Sequence, residues 1–371
     1  MAELNRNSYL SKNVGDFPAA TVIGGREYIK VQDLRYGTNP HQPAAYYKPA
    51  DTVCPIGDMQ ILKDGKSGLS QTNLEDISYA LNIVKFFDRP ACAVMKHVNP
   101  SGAAVQCDGE DIRKVYLKAR DADARAAFGS AVAFNTAVDA ATAKEIMGSF
   151  VECVVAPAYE SGVLDIFNDG ETYKLNKHIR IIQCGDISRL PKFTGQGDEQ
   201  SNTIKVLADG SLIIAAPLTT SLRSVNDLKS AEAENAKAGK QVSAHKATPA
   251  QLADLLFAWY VNLSVRSNGV VIAQNGQTIS VGTGEQDRVG AVEQAIAKYR
   301  QKYQGENSIK NSVMSSDGFF PFADAVEVAA EAGITAIVCP AGSLRDAEVI
   351  KRANELGVAL YYAPERIFSH H

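Results

Sequence analysis

Lys96 and His97 stand where an apolar run, Ala91–Met95, gives way to Val98-Asn99-Pro100-Ser101-Gly102. An imidazole can take a proton near neutral pH, and an ammonium beside it can stabilise a developing oxyanion. Ends of buried strands are where open α/β sheets collect ligands. Neighbouring strand residues point to opposite faces, so joint action requires the strand to have ended by Lys96. A surface lysine beside a histidine satisfied by backbone is the alternative. Leu34-Arg35-Tyr36-Gly37-Thr38-Asn39-Pro40-His41-Gln42 offers a guanidinium fork suited to phosphate and a glycine that lets an N–H approach an anion. A solvated surface turn is the other use of such a loop. Asn268 can donate and accept, to read a carboxamide or to cap a turn before Gly269. Phe319, Phe320 and Phe322 in Ser316–Phe322 suit stacking on a flat heterocycle or filling core space.

The elements that must position these residues alternate in type. Ala91–Met95, Cys153–Ala156, Val270–Ala273 and Ala336–Cys339 read as strands buried on both faces. Thr72-Asn73-Leu74-Glu75 reads as a capping box ahead of Ile77, Leu81 and Val84 on one helical face. Thr248-Pro249 opens a second helix with Leu252, Leu255, Leu256 and Trp259 as its stripe. Thr283 is expected to cap a third, with Val289, Val292, Ile296, Tyr299 and Tyr303 inward. Further helices are expected around Ala141–Met147 and over Ala325–Ala332. Alternation of this kind implies an α/β architecture.

The halves also read as a degenerate repeat, the alternative being chance similarity of two α/β units. Lys96–Gly102 with its strand is matched to Arg266-Ser267-Asn268-Gly269, so that Asn99 corresponds to Asn268, Gly129 to Gly318 and Pro157 to Pro340. The polar stretch Leu190–Thr203 marks a boundary, giving units of 1–195 and 196–371. A chain of 371 residues that is 45% hydrophobic can bury more than one core. Its net charge of -4 suggests neither a nucleic-acid nor a membrane surface, while leaving room for a small anionic substrate. The six scattered cysteines read as reduced thiols, and the polar start has no apolar leader, so a cytoplasmic location is expected. No phosphate loop, dinucleotide fingerprint or zinc-deaminase pattern is present, and no metal is expected in catalysis, with a bound monovalent cation left open.

RYGTNPHQ, KHVNPSGAAV, FGS, SNGVVIAQNGQTISVGTGEQDR, SSDGFFPFADAV, CPAGS and ERIFSHH occur in this order. Together they resemble the 5-aminoimidazole-4-carboxamide ribonucleotide (AICAR) transformylase family, from about Leu34 to the end. The resemblance implies two tandem cytidine-deaminase-like α/β/α units lacking zinc. It implies transfer of a formyl group from 10-formyltetrahydrofolate to the 5-amino group of AICAR. The family pattern makes His97 the base, with Lys96 and Asn268 completing the catalytic set. Arg35, Tyr36, Gly129, Glu152, Arg288, Phe319 and Arg366 fall at nucleotide positions, and Val289, Asp324, Ser343 and Leu344 at folate positions. Glu152 stands where some members have aspartate. A homodimer with shared sites is implied. The family's upstream IMP cyclohydrolase domain is expected to be absent, with a separate cyclohydrolase in the same pathway. The alternatives are another formyl donor on the same fold and a non-catalytic nucleotide-binding paralogue.

Overall fold

A computed structural model describes residues 11–196 and 202–370. The first part of the polar start and the middle of Leu190–Thr203 therefore lie outside the described residues. In chain order the elements begin with β1 (Ala20–Ile23), β2 (Arg26–Asp33), β3 (Ala45–Pro49), β4 (Gln60–Lys63), α1 (Gln71–Val84), β5 (Ala91–Lys96) and β6 (Asn99–Val105). Next come α2 (Ile112–Asp121), β7 (Ser130–Phe134), α3 (Ala140–Met147), β8 (Val151–Ala156), α4 (Val163–Asn168), β9 (Arg180–Gln183), β10 (Thr203–Val206) and β11 (Leu212–Ala215). Then follow β12 (Lys229–Ser230), β13 (Glu232–Asn235), β14 (Gly239–Val242), α5 (Pro249–Asn262), β15 (Val270–Gln274), β16 (Gln277–Gly282) and α6 (Arg288–Lys302). The last are β17 (Val313–Ser316), α7 (Asp324–Ala332), β18 (Ala336–Pro340), α8 (Asp346–Glu355) and β19 (Ala359–Ala363). The α/β class follows.

The chain separates into two compact units. One holds residues up to Val98 with Asp111–Leu117 and Ala126–Leu190; the other holds Asn99–Glu110, Lys118–Arg125 and everything from Pro191 on. In the first unit the strand order is β5-β7-β8-β9-β4. The β5/β7 pair is antiparallel, β7/β8 and β8/β9 are parallel, and β9/β4 is antiparallel. The second unit runs β15-β17-β18-β19-β12 with the same succession of senses, and β16 and β6 extend it beyond β15.

Register fixes which residues correspond. Met95 pairs with Ala131 as Ala273 pairs with Val313, and Cys153 pairs with Arg180 as Ala336 pairs with Ala359. By this measure Pro157 does match Pro340, but His97-Val98 matches Asn275-Gly276. Asn99 follows β5 whereas Asn268 precedes β15, and Gly129 precedes β7 whereas Gly318 follows β17. Those two correspondences are therefore wrong. Similar short strings recur at opposite ends of strands, and only the hydrogen-bond ladder tells the ends apart.

The apolar runs form strands because both faces are covered. Ala91–Met95 is wholly buried under α1, whose Ile77, Leu81 and Val84 face inward. Leu255 and Trp259 of α5 are buried over β15 and β17. Two caps differ from expectation. Helix α1 is capped by Ser70, whose hydroxyl accepts from Asn73 N at 3.2 Å while Ser70 N donates to Asn73 Oδ1 at 3.1 Å. Asparagine does there what glutamate does in the usual box, so the helix starts before Thr72. Asp287 rather than Thr283 caps α6, accepting from Gly290 N at 2.7 Å; Thr283 donates instead to Asn99 Oδ1 at 2.6 Å. Thr248 caps α5 as expected.

All six cysteines are free thiols. Among the described residues no helix is long and apolar enough to cross a membrane. The β10–β11 ribbon exposes Val206, Leu212, Ile213 and Ile214, an apolar surface that a lone hairpin does not shelter.

Candidate active site

In the first unit the singled-out residues gather along one sheet edge. Met95, at the C-terminal end of β5, pairs with Ala131 near the start of β7, and β8 and β9 begin beside it. Lys96 closes β5, and its Nζ donates to Gly129 O at 2.6 Å. Gly129 has φ 77, and a Cβ there would lie 3.0 Å from that Nζ and 3.2 Å from the Phe150 ring. The positive φ favours glycine, and a Cβ here would press on the lysine ammonium. His97 and Val98 turn the chain with φ of 53 and 60. For a β-branched residue that conformation is an outlier, costing on the order of 1–3 kcal/mol unless its surroundings enforce it. The enforcing group is Asp76 of α1, whose Oδ1 accepts from Val98 N at 2.6 Å. Burial raises the Asp76 carboxyl above its ordinary 3.8, against the pull of that amide and of the His97 and Lys96 charges.

Glu152 is fixed from the same helix, since Asn73 Nδ2 donates to its Oε2 at 2.9 Å. Arg35 is only 6% exposed and stacks on Tyr36 at 4.6 Å. Its Nε is buried with no hydrogen-bond partner. Desolvation and the nearby Arg180 charge lower its pKa, with Tyr36 and Glu152 opposing. An orphan guanidinium N–H beside a second arginine is a place where an anion would relieve both costs. The Gly37 amide is not available for this, because it donates to Gln42 O at 2.6 Å. A cavity of about 330 Å³ lined by Tyr46, Tyr47, Gln71, Glu75 and Tyr79 shares only Leu34 with the Arg35 loop, and no catalytic candidate lines it.

In the second unit the singled-out residues lie at one sheet edge as well, near the start of β15 and the C-terminal ends of β17, β18 and β19. Asn268 Nδ2 donates to Glu285 O at 2.9 Å, and the Ser267–Asn268 peptide is cis. Asp317, fully buried, accepts from Gly269 N at 2.8 Å and pairs with Arg288. One carboxylate thus fixes both the residue after Asn268 and the guanidinium that opens α6. A Cβ on Gly318 would lie 2.5 Å from Arg288 Nη2, so this turn too requires glycine. The Phe368 ring receives Arg366 at 4.7 Å and Arg288 at 5.6 Å, which orients both cations.

The three phenylalanines divide. Phe320 is core, Phe319 is part-exposed beside Gly342, and Phe322 carries Arg345 at 4.7 Å. Of the folate positions, Val289 packs against the core. Asp324 is exposed and accepts from Ala325 N at 2.8 Å, and Ser343 Oγ accepts from Arg345 N at 3.1 Å. Leu344 is 95% exposed.

The profile of the AICARFT/IMPCHase bienzyme family matches residues 6–298. The chain belongs to this bienzyme family. It is 38% identical over 342 residues to the bifunctional purine biosynthesis protein PurH of Nostoc punctiforme, covering 92% of this chain and 59% of that one. The PurH proteins of Oceanobacillus iheyensis and Acetivibrio thermocellus are each 38% identical, over 98% of this chain and 64% and 63% of theirs. The chain thus spans roughly three fifths of the length of these relatives.

Within this member of the bienzyme family, sequence reasoning missed Asp76, Asp317, Asn73 and Phe368. Phe368 was within reach, lying between Arg366 and the terminal histidines. The carboxylates were not, since a lone aspartate in a helix or after a strand carries no spacing signal.

Proposed function

We propose that the chain transfers the formyl group of 10-formyltetrahydrofolate to the 5-amino group of AICAR. The observation that carries this is the Lys96–His97 pair, held at a strand end in a chain of the bienzyme family, with the ammonium fixed on Gly129 O. The AICAR amine is conjugated with its ring and carboxamide, so it is a poor nucleophile. His97 takes its proton as the amine adds to the formyl carbon, and Lys96 stabilises the charge on oxygen. Collapse of the tetrahedral adduct then breaks the formyl C–N10 bond, and N10 takes the proton from His97 as tetrahydrofolate leaves. Arg35 and Arg366 suit the phosphate, Tyr36, Gly129, Glu152 and Phe319 the nucleoside, and Asn268 and Arg288 the carboxamide side. Asp324, Ser343, the Leu344 backbone and Val289 are the folate-side candidates.

The tandem cytidine-deaminase-like fold is supported by the recurrence of strand order and sense. A homodimer is supported by the exposed apolar β10–β11 ribbon, and a cytoplasmic location by six free thiols. Ring closure of the product falls to a cyclohydrolase.

The test is a spectroscopic assay with AICAR and 10-formyltetrahydrofolate. Wild type turns over, and His97→Ala loses about a hundredfold or more, the usual scale for a general base. Equal rates would remove His97 from the mechanism, and formylation without the folate would reject the donor.

A further inference from the structure

The left-handed turn after β5 has a counterpart after β15. Asn275 and Gly276 adopt φ of 53 and 67, matching 53 and 60 at His97 and Val98. Both turns are gripped in the same way. Asp76 is the sixth residue of α1 and holds Val98 N at 2.6 Å. Asp254 is the sixth residue of α5 and holds Asn275 N at 2.9 Å and Gly276 N at 2.8 Å. Both carboxylates are buried.

The grip is the same but its cargo differs. Asparagine and glycine enter the left-handed region readily, so the second turn forms with little help. Histidine enters it less readily, and for the β-branched valine it is an outlier. An outlier of this kind persists only where neighbouring structure enforces it. In the first unit the enforced residue, Val98, directly follows the proposed base His97, with the ammonium of Lys96 before that. Glu152 is also tied to α1, through Asn73, one turn before Asp76. Helix α1 therefore carries a support for two of the residues at this edge, whereas Asp254 supports a turn with no such residue in it.

We propose that Asp76 is a positioning residue for the formyl transfer. By accepting the Val98 amide it keeps the His97–Val98 turn left-handed and so aims the imidazole. The proposal rests on the reading of His97 as the base.

The experiment compares Asp76→Ala with Asp254→Ala, each at equal folded fraction by circular dichroism. Asp76→Ala is expected to lower kcat by about tenfold to a hundredfold, the scale for a reacting group displaced by about 1 Å, while KM for AICAR changes less than about threefold. Asp254→Ala keeps the wild-type kcat. Adding Val98→Gly to Asp76→Ala returns about half or more of the lost activity on a logarithmic scale, because glycine holds the turn unaided. The His97 ring resonance, read by NMR without turnover, moves in Asp76→Ala and stays in Asp254→Ala. An unmoved resonance, an unchanged kcat in Asp76→Ala, equal kcat losses in both alanine variants, or no recovery with Val98→Gly would overturn the proposal. His97→Ala is assayed alongside. Should it keep full turnover, the base reading has failed; should it be inactive while Asp76→Ala is normal, only the positioning role has.

Discussion

The two units share a strand order and carry their candidate residues at opposite edges of it. In the first, Lys96, Gly129, Glu152 and Arg180 lie where the parallel strands β7, β8 and β9 begin. In the second, Asp317, Phe319, Ser343 and Arg366 follow the C-terminal ends of β17, β18 and β19. The C-terminal edge is the usual one for ligands in open α/β sheets, because helices following the strands point their N-termini at it. Helices α7 and α8 do so here, starting at Asp324 and Asp346. At the N-terminal edge the adjoining helix ends are C-terminal, as with α3 before β8, and their dipoles repel anions. An anion at the first unit's edge would need positive charge from side chains, and Arg35, Arg180 and Lys96 are the candidates for it. On the proposed reading, a strand order leaves the choice of edge open, and the charges placed on each edge make it.

If that contrast is right, the second edge should depend most on its buried ion pair. Asp317→Asn leaves Arg288 buried without a counter-charge, and unfolding in denaturant should show a loss of about 3–5 kcal/mol with weaker AICAR binding. A loss under about 1 kcal/mol would mean that Arg288 has another anchor. The first edge should respond chiefly through Lys96. Gly129→Ala forces an L side chain to φ 77 against Nζ, and is expected to cost about 1–2 kcal/mol and to lower kcat along with stability. Normal turnover would detach Lys96 from the chemistry.

The smallest effect concerns a trait the units share. Burial raises both Asp76 and Asp254 above 3.8. A carboxyl whose folded pKa exceeds its unfolded one binds its proton better when folded, so stability falls as pH rises from about 4 through the raised value. Asp76→Asn and Asp254→Asn keep an acceptor oxygen and should each flatten that fall in thermal melts across pH 3–7, by about 1.4 kcal/mol per pKa unit. A steeper fall would show the carboxylates to be stabilised by their amides after all.

Much of this was legible in the chain itself. Ala91–Met95 and Ala336–Cys339 are apolar on both faces, and Thr248-Pro249 announces α5, since each signal is local. The Ser70 cap was hidden because Asn73 replaces glutamate, and Asp287 because Thr283 offered an equally good hydroxyl. The correspondence of halves went astray at Asn268 because matching letters carry no strand polarity. Asp76, Asp254 and Asp317 were illegible for a deeper reason: each works on an amide or cation brought near only by folding.

The grip on the second turn has a chemical consequence as well. Asn-Gly pairs age by attack of the glycine nitrogen on the asparagine carboxamide, closing a succinimide ring. Here the Gly276 nitrogen is engaged by Asp254 at 2.8 Å and the Asn275 carboxamide is tethered to Asn307 at 2.9 Å. Both groups are engaged with other partners, so the loop is expected to outlast the same dipeptide in a free peptide.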